Sequence, residues 1–131
     1  MTDPIADLLT QIRNAFLAGK DTTCQVQHSK MKRELARILK ECGYIRGYED
    51  VEKPGNKKYL TVQLKYVNGE SAITAIERFS RPGRRIYFGA NDIPKVLGGM
   101  GVGIMTTSRG LMTDRDARSQ NLGGELVCRV W

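Results

Sequence analysis

The distribution of glycine constrains this chain more than any other feature. Nine of the 14 glycines fall between Gly83 and Gly124. Glycine reaches left-handed and close-approach backbone without steric cost, but it weakens the interior of helices and strands. The first half therefore reads as regular structure, and the second as short strands joined by tight, backbone-defined turns. The change falls at the turn dipeptide Asn68-Gly69. With 131 residues, 40% of them hydrophobic, the chain can fill one ordinary domain or two small ones sharing an interface. The expectation is an α/β (α+β) protein of two small domains. Residues 1–68 form an N-terminal α-β-α-β-β domain, and residues 69–131 a mostly β domain with a short helix. There is no repeat and no low-complexity segment.

In the first half, Asp3 is placed as an N-cap with Pro4 preset at the first helical position. Ile5, Leu8, Leu9, Ile12 and Phe16 follow a 3.6-residue period up to Gly19. A short strand is expected from about Cys24 to Gln27. Ser29 then caps a second helix with Met31, Leu35, Ile38, Leu39 and Cys42 on one face and Gly43 past its end. Its other face carries Lys30, Lys32, Arg33, Arg37 and Lys40. A strand from Tyr44 to about Val51 meets a Pro54-Gly55-Asn56 turn. Lys58 to Tyr66 alternates, with Leu60, Val62, Leu64 and Tyr66 inward and Thr61, Gln63 and Lys65 outward.

In the second half, Ala72–Phe79 fits a helix by its spacing and a strand by its β-branched content, and a strand leading to the Pro82-Gly83 turn is favoured. Arg85–Phe88 reads as a short strand. Asn91-Asp92 is expected to cap a helix of one or two turns ending at Gly98-Gly99. Val102–Thr106 is a strand entering Thr107-Ser108-Arg109-Gly110. Thr113, with Asp116 three residues on, resembles a capping box opening a short helical turn. Glu125–Val130 is a closing strand.

Charge follows the same division. The net charge is +7. Residues 1–77 hold 12 basic and 10 acidic side chains, net +2, whereas residues 78–118 hold eight basic and three acidic, net +5. Seven of those eight bases are arginine, whose planar fork suits phosphate. A polyanion is the natural partner, because neutralising its phosphates releases condensed counterions.

Several classes are disfavoured. No apolar run approaches the ~20 residues of a membrane span, and Met1-Thr2-Asp3-Pro4 has the character of neither a secretory signal nor an Arg-rich transit peptide. Cys24, Cys42 and Cys128 are odd in number and widely spaced, which points to a reducing compartment, the cytosol, rather than a disulfide framework. The single histidine, His28, has no C-x-x-C or second histidine to complete a metal set. Thr106-x-Ser108-x-Gly110 lacks the first glycine of a nucleophile elbow. The glycines at 98, 99, 101 and 103 miss dinucleotide-loop spacing. The expectation is a protein that is not an enzyme and holds no cofactor and no metal. A small enzyme acting on a phosphorylated substrate, using the 98–110 stretch, and a DNA-binding regulator using the helix from Lys30 to Cys42 are the competing readings.

Nucleic-acid binding finds better material. Thr106, Thr107, Ser108, Arg109 and Gly110 bring hydroxyls, a guanidinium and a glycine-freed backbone together at the end of a strand. Such a set suits phosphate, 2′-hydroxyl oxygens and base edges. Ser80-Arg81-Pro82-Gly83-Arg84-Arg85 places three arginines around a turn. Tyr87 after it is suited to stacking on an unpaired base, and Phe88 to the core. Ser29 and Lys30 at the start of the second helix, with its basic face, form a second candidate phosphate surface; a solvated face is the alternative. Lys57 and Lys58 near a hairpin tip form a third. Few aromatics and many hydroxyl and Arg groups favour a structured RNA read by shape and backbone.

Eight segments occur in an order that resembles the bacterial small-ribosomal-subunit protein eight family. They are Asp3-Pro4-Ile5-Ala6-Asp7, Ile12-Arg13-Asn14-Ala15, Leu39-Lys40-Glu41-x-Gly43-Tyr44-Ile45, Ser80-Arg81-Pro82-Gly83-Arg84-Arg85, Leu97-Gly98-Gly99, Thr107-Ser108-Arg109-Gly110, Met112-Thr113-Asp114-Arg115 and Gly123-Gly124-Glu125. The resemblance runs essentially end to end. It implies a two-domain α/β protein of the cytoplasmic ribosome that binds small-subunit ribosomal RNA in its central domain and supports assembly there. It further implies neighbouring small-subunit ribosomal proteins as partners, and feedback binding to its own messenger. The family's Ser-Thr-Ser-x-Gly turn carries over as Thr106, Thr107, Ser108 and Gly110. Threonine replaces the first serine, which bears on any contact needing a small side chain there. The family's glutamate after paired glycines carries over as Glu125. It either accepts a hydrogen bond from an RNA amino group or braces Arg109 or a backbone N–H.

Overall fold

The computed structural model describes residues 4–23 and 25–131. The expected N-cap Asp3 and the expected strand start at Cys24 lie outside them. The chain divides into two compact units between Ile73 and Thr74.

In the first unit α1, Pro4–Leu17, buries Ile5, Leu8, Leu9, Ile12 and Ala15. Gly19, at φ 67°, ends it. Phe16, the last member of the apolar series, is half-buried and meets Tyr66 edge-on, with ring centroids 5.4 Å apart. The short strand β1, Val26–Gln27, precedes α2, Lys30–Glu41. Ser29 caps α2, its Oγ accepting the Lys32 N–H at 3.1 Å. The buried stripe of α2 differs from the expected one. Met31 is exposed, and Lys32 takes a buried place beside Leu35, Ala36, Ile38 and Leu39. Lys32 tolerates burial because its Nζ donates to Asp7 Oδ2 of α1 and to the Gln27 carbonyl, both at 3.0 Å. A buried ammonium is sustained only when paired and hydrogen-bonded in this way.

β2, Ile45–Lys53, and β3, Lys57–Leu64, form the hairpin expected around Pro54-Gly55-Asn56. With β1 they make an antiparallel sheet ordered β1-β3-β2. Leu60, Val62 and Leu64 are buried. Tyr66 belongs instead to a two-stranded ribbon of β4, Tyr66–Val67, and β5, Glu70–Ser71. Asn68 and Gly69 turn this ribbon with φ of 53° and 80°. Two successive positive φ values match the twist of a tight hairpin. The Asn68-Gly69 turn therefore lies inside the first unit.

The second unit is built on one sheet ordered β6-β10-β8-β9, with β7 also pairing β10. These strands are β6 (Ile76–Arg78), β7 (Tyr87–Phe88), β8 (Val102–Thr107), β9 (Gly110–Thr113) and β10 (Gly124–Val130). The Ala72–Phe79 segment thus holds a strand, though a short one. β9 is an addition to the expected elements, since four residues after a turn carry too little pattern to mark a strand. α3, Asp114–Ser119, starts as expected, with Thr113 Oγ1 accepting the Asp116 N–H at 3.1 Å. The expected helix after Asn91-Asp92 is replaced by a 3-10 turn, Val96–Gly99, with left-handed Leu97 and Gly98. Pro94 disfavours helical backbone at Ile93, and too few residues remain before the paired glycines to build a helix. Ile93, Met105, Ala117 and Leu126 form one core cluster of this unit, flanked by Phe79, Phe88 and Met112. Cys128 is buried in β10, and burial pushes its thiol pKa up to about 12 despite the nearby Arg78 charge.

Candidate nucleic-acid interface

The start of β10 organises the site. A Cβ on Gly124 would lie 2.1 Å from the Thr106 carbonyl oxygen, and one on Gly123 would lie 2.6 Å from that of Phe88. Only glycine lets β10 enter between β7 and β8 at this separation. Glu125, the next contributor, then pairs with Tyr87 on one side and Thr106 on the other. Thr106 pairs in turn with Leu111. Directly opposed residues point to one face of a sheet. Tyr87, Glu125, Thr106 and Leu111 therefore form a row on the face opposite Phe88, Leu126, Met105 and Met112.

Glu125 is the buried member of this row, 8% exposed. Its Oε2 accepts the Ser80 hydroxyl at 2.5 Å, and Arg85 approaches Oε1 at 3.3 Å. Ser80, fully buried, accepts the Ile86 N–H on its Oγ at 3.0 Å. The carboxylate thus fixes the 80–86 loop through a hydroxyl, a guanidinium and, by relay, a backbone N–H. Of the readings open for Glu125, bracing is the one the geometry displays, and the arginine braced is Arg85. Arg109 instead donates to Gln120 Oε1 at 3.2 Å. The sequence reading missed Ser80 as a partner of Glu125; a small hydroxyl just before a Pro-Gly turn was its only signal.

Around this node the side chains face solvent. Tyr87 is 65% exposed, while Phe88 packs against the core. Arg81 and Arg84 flank the Pro82-Gly83 turn, which is closed by reciprocal backbone bonds of 3.0 and 2.9 Å between them. Arg84 and Arg85 are exposed. Ser108 and Arg109 form the tip joining β8 to β9, with Gly110 at φ 101°. Thr107 Oγ1 accepts the Arg109 N–H at 3.1 Å and donates to the Gly110 carbonyl at 2.9 Å, so its hydroxyl shapes the turn. Among the described residues, the hydroxyls of Thr106 and Ser108 have no protein partner, and Arg81, Arg84 and Arg109 have no acidic one.

The remaining candidates lie in the first unit. The Ser29 hydroxyl is committed to the helix cap. Lys30 and Lys57 are exposed, and Lys58 lies 3.8 Å from Glu52. Lys57 and Lys58 open β3 rather than forming the hairpin tip, and they line a cleft with Gln27, His28, Asn56 and Tyr59. The basic face of α2 is largely neutralised. Arg33 Nε meets Asp50 at 3.0 Å, and Arg37 bonds Glu34 and Glu41 at 2.9 and 3.0 Å. The Glu34 bond is the main cause of a raised Arg37 pKa.

Free hydroxyls, unpaired guanidiniums and an open aromatic ring at one end of a sheet are chemistry suited to a nucleic-acid backbone. A family model for ribosomal protein S8 matches residues 3–131. The chain is 56% identical over 131 residues to small ribosomal subunit protein uS8 of Solibacter usitatus, covering 99% of this chain and 98% of that protein. It is 52% identical over 132 residues to the protein of the same name from Clostridioides difficile, covering 100% and 98%. A third relative, from Sorangium cellulosum, is 53% identical over 132 residues, covering 100% and 99%. The chain belongs to the ribosomal protein S8 family. It is a ribosomal protein and not an enzyme.

Proposed function

We propose that this protein works in the small subunit of the cytoplasmic ribosome, where it binds ribosomal RNA directly and supports subunit assembly. The contact surface is the sheet end formed by Arg84, Arg85, Tyr87 and the Thr106–Gly110 hairpin. Glu125 acts as its positioning residue. The observation that carries this reading is the row Tyr87–Glu125–Thr106, in which the one acid is buried and spent on Ser80 and Arg85. What remains toward solvent is a ring, hydroxyls and cations. RNA recognised by shape uses such phosphate and 2′-hydroxyl contacts. The names of the relatives place them in the small subunit, and the resemblance described above points to the central domain of its RNA. Lys30, Lys57 and Lys58 add a second phosphate-binding region on the first unit, and neighbouring small-subunit proteins complete the surroundings. An RNA helix of the same shape in its own messenger would fit the same face and provide feedback.

The test is a titration of the whole protein against a central-domain RNA fragment and an unrelated stem of equal length, at low and near-physiological salt. Tight binding to the fragment that survives the higher salt, while the control falls away, is expected. Equal binding that collapses with salt for both would reduce the surface to a nonspecific one. Ser108→Ala should weaken the specific complex by about 1–3 kcal/mol, the range for losing a hydrogen bond to a charged or buried polar partner. Its thermal unfolding should match wild type, because Ser108 is exposed and bonds nothing in the protein.

A further inference from the structure

The turn Arg81-Pro82-Gly83-Arg84 sets two like charges against each other. Arg81 and Arg84 are directly opposed across it, joined by their reciprocal backbone bonds. Directly opposed side chains share a face, and like charges in that relation repel. Both are exposed, and neither has an acidic partner among the described residues. Beside them lies a cleft of about 440 Å³, lined by Glu77, Arg78, Phe79, Arg81, Arg84 and Ile86. Arg78 is a third cation there, fixed by donation from its Nη1 to the Val127 carbonyl at 2.7 Å. Glu77 does not offset the three, because it is paired with Arg129 of β10. Half-buried Phe79 and Ile86 supply the apolar part of the wall. The Arg129 guanidinium lies over the Phe79 ring, 4.8 Å from its centroid, and so helps to hold the ring in place. The fold thus gathers three guanidiniums around one carboxylate that is already committed. Their repulsion disfavours the protein alone, and an anion relieves it.

We propose that this cleft binds a nucleotide, with its phosphate on Arg78, Arg81 and Arg84 and its base or sugar against Phe79 and Ile86. Guanidinium forks match phosphate oxygens. Ligand sites of this size combine an apolar lining with a few charged groups that fix orientation. Neither Tyr87 nor the Thr106–Gly110 hairpin lines the cleft, so it stands apart from the RNA surface described above and meets it only at Arg84. The same chemistry is offered by a free nucleotide and by one nucleotide of an RNA strand. A free nucleotide that takes Arg84 withdraws a cation from the RNA surface, so each ligand weakens the other by the same factor.

The experiment is a titration of the full chain with AMP, GDP, inorganic phosphate and the central-domain RNA fragment, each at near-physiological salt without divalent cations. The variants are Arg81→Gln, which removes one cation, and Ile86→Thr, which keeps a β-branched side chain but makes the wall less apolar. Arg81→Gln should melt no lower than wild type, because it relieves the repulsion with Arg84. AMP and GDP should bind wild type more tightly than inorganic phosphate does. Arg81→Gln should weaken all three by roughly ten-fold, the factor for losing one hydrogen bond to a charged group. Ile86→Thr should weaken AMP and GDP and leave phosphate unchanged. That pattern assigns the cleft to a free nucleotide. Absence of nucleotide binding, with the RNA fragment weakened by both variants, assigns it to a nucleotide of the strand. Nucleotide affinity that is equal in wild type and both variants would overturn the site, as would phosphate binding as tightly as AMP. No nucleotide binding, with RNA affinity unchanged in both variants, would overturn it also. Nucleotide binding by a protein that ignores the RNA fragment would count against the RNA reading alone.

Discussion

Helix α2 and the 80–110 surface are both rich in basic residues, yet they spend them differently. On α2, Lys32 is buried against Asp7, Arg33 bonds Asp50, and Arg37 bridges Glu34 and Glu41. In the second unit Arg81, Arg84 and Arg109 have no acidic partner among the described residues, and Glu125 is buried against Ser80 and Arg85. The difference lies in local geometry. A helix places residues three and four apart side by side, so Glu34 and Glu41 reach Arg37 at little cost. A turn gives its arginines no periodic neighbour. Charge that appears equivalent in a sequence becomes structural glue in one unit and available surface in the other.

The most severe way to break this contrast is to close the gap that positions Glu125. Gly124→Ala drives a methyl into the Thr106 carbonyl, backbone against backbone, where no rotamer change gives relief. A loss of about 4 kcal/mol or more is expected, in the range reserved for severe core and backbone clashes. Denaturant unfolding of the variant measures it, and wild-type stability would show that β8 and β10 can separate without penalty.

The units should also part company in alkali. Cys128, buried in the second unit, has its folded pKa raised from 9.0 to about 12. The protonated thiol is common to both states below pH 9. Above it the unfolded chain loses the proton and the folded chain keeps it, so stability falls as pH rises from about 9 towards 12. The slope is at most about 1.4 kcal/mol per pH unit. Subtracting the profile of Cys128→Ala from that of wild type isolates this contribution from other groups titrating in the range. A flat difference would mean that the thiol ionises freely in the native protein.

Next in size is the node itself. Glu125→Ala leaves Ser80 and Arg85 without their acceptor and should cost about 1–3 kcal/mol. Glu125→Gln, which keeps an acceptor for Ser80 but surrenders the ion pair, should cost less. Thermal unfolding of the two separates the hydrogen bond from the charge. A larger loss in Glu125→Gln would invert that assignment.

Legibility in the sequence followed the range of the determining interaction. The α1 and α2 helices, the Ser29 cap, the β2–β3 hairpin and the α3 start were readable, because each is specified within a few neighbouring residues. Buried Lys32 was not, since its acceptor Asp7 is 25 residues away and apolar periodicity favoured Met31. The site was readable as a set of residue types, not as an arrangement. Nothing local indicates that Ser80 and Glu125, 45 residues apart, share a hydrogen bond, or that Gly123-Gly124 marks a strand squeezed between two others. Family resemblance supplied Glu125 as a site residue; the fold shows the carboxylate facing Ser80 and Arg85.

The smallest expected effect is the sharpest test of how the two units spend their cations. Arg84→Ala removes an exposed guanidinium with no acidic partner, so it should weaken RNA binding and lower the salt slope by about one counterion equivalent. Arg37→Ala removes a guanidinium already shared between Glu34 and Glu41. It should leave the salt slope unchanged and cost only about 0.5 kcal/mol of stability, because exposed helix pairs contribute little. Both slopes come from one RNA titration series across salt concentrations. If Arg37→Ala lowered the slope as much as Arg84→Ala, the helix pairs would have to open on binding. The contrast between glue and surface would then describe only the free protein. If neither variant changed it, the phosphate contacts would have to fall to the other candidates, Arg85 and Arg109 in the second unit and Lys30, Lys57 and Lys58 in the first.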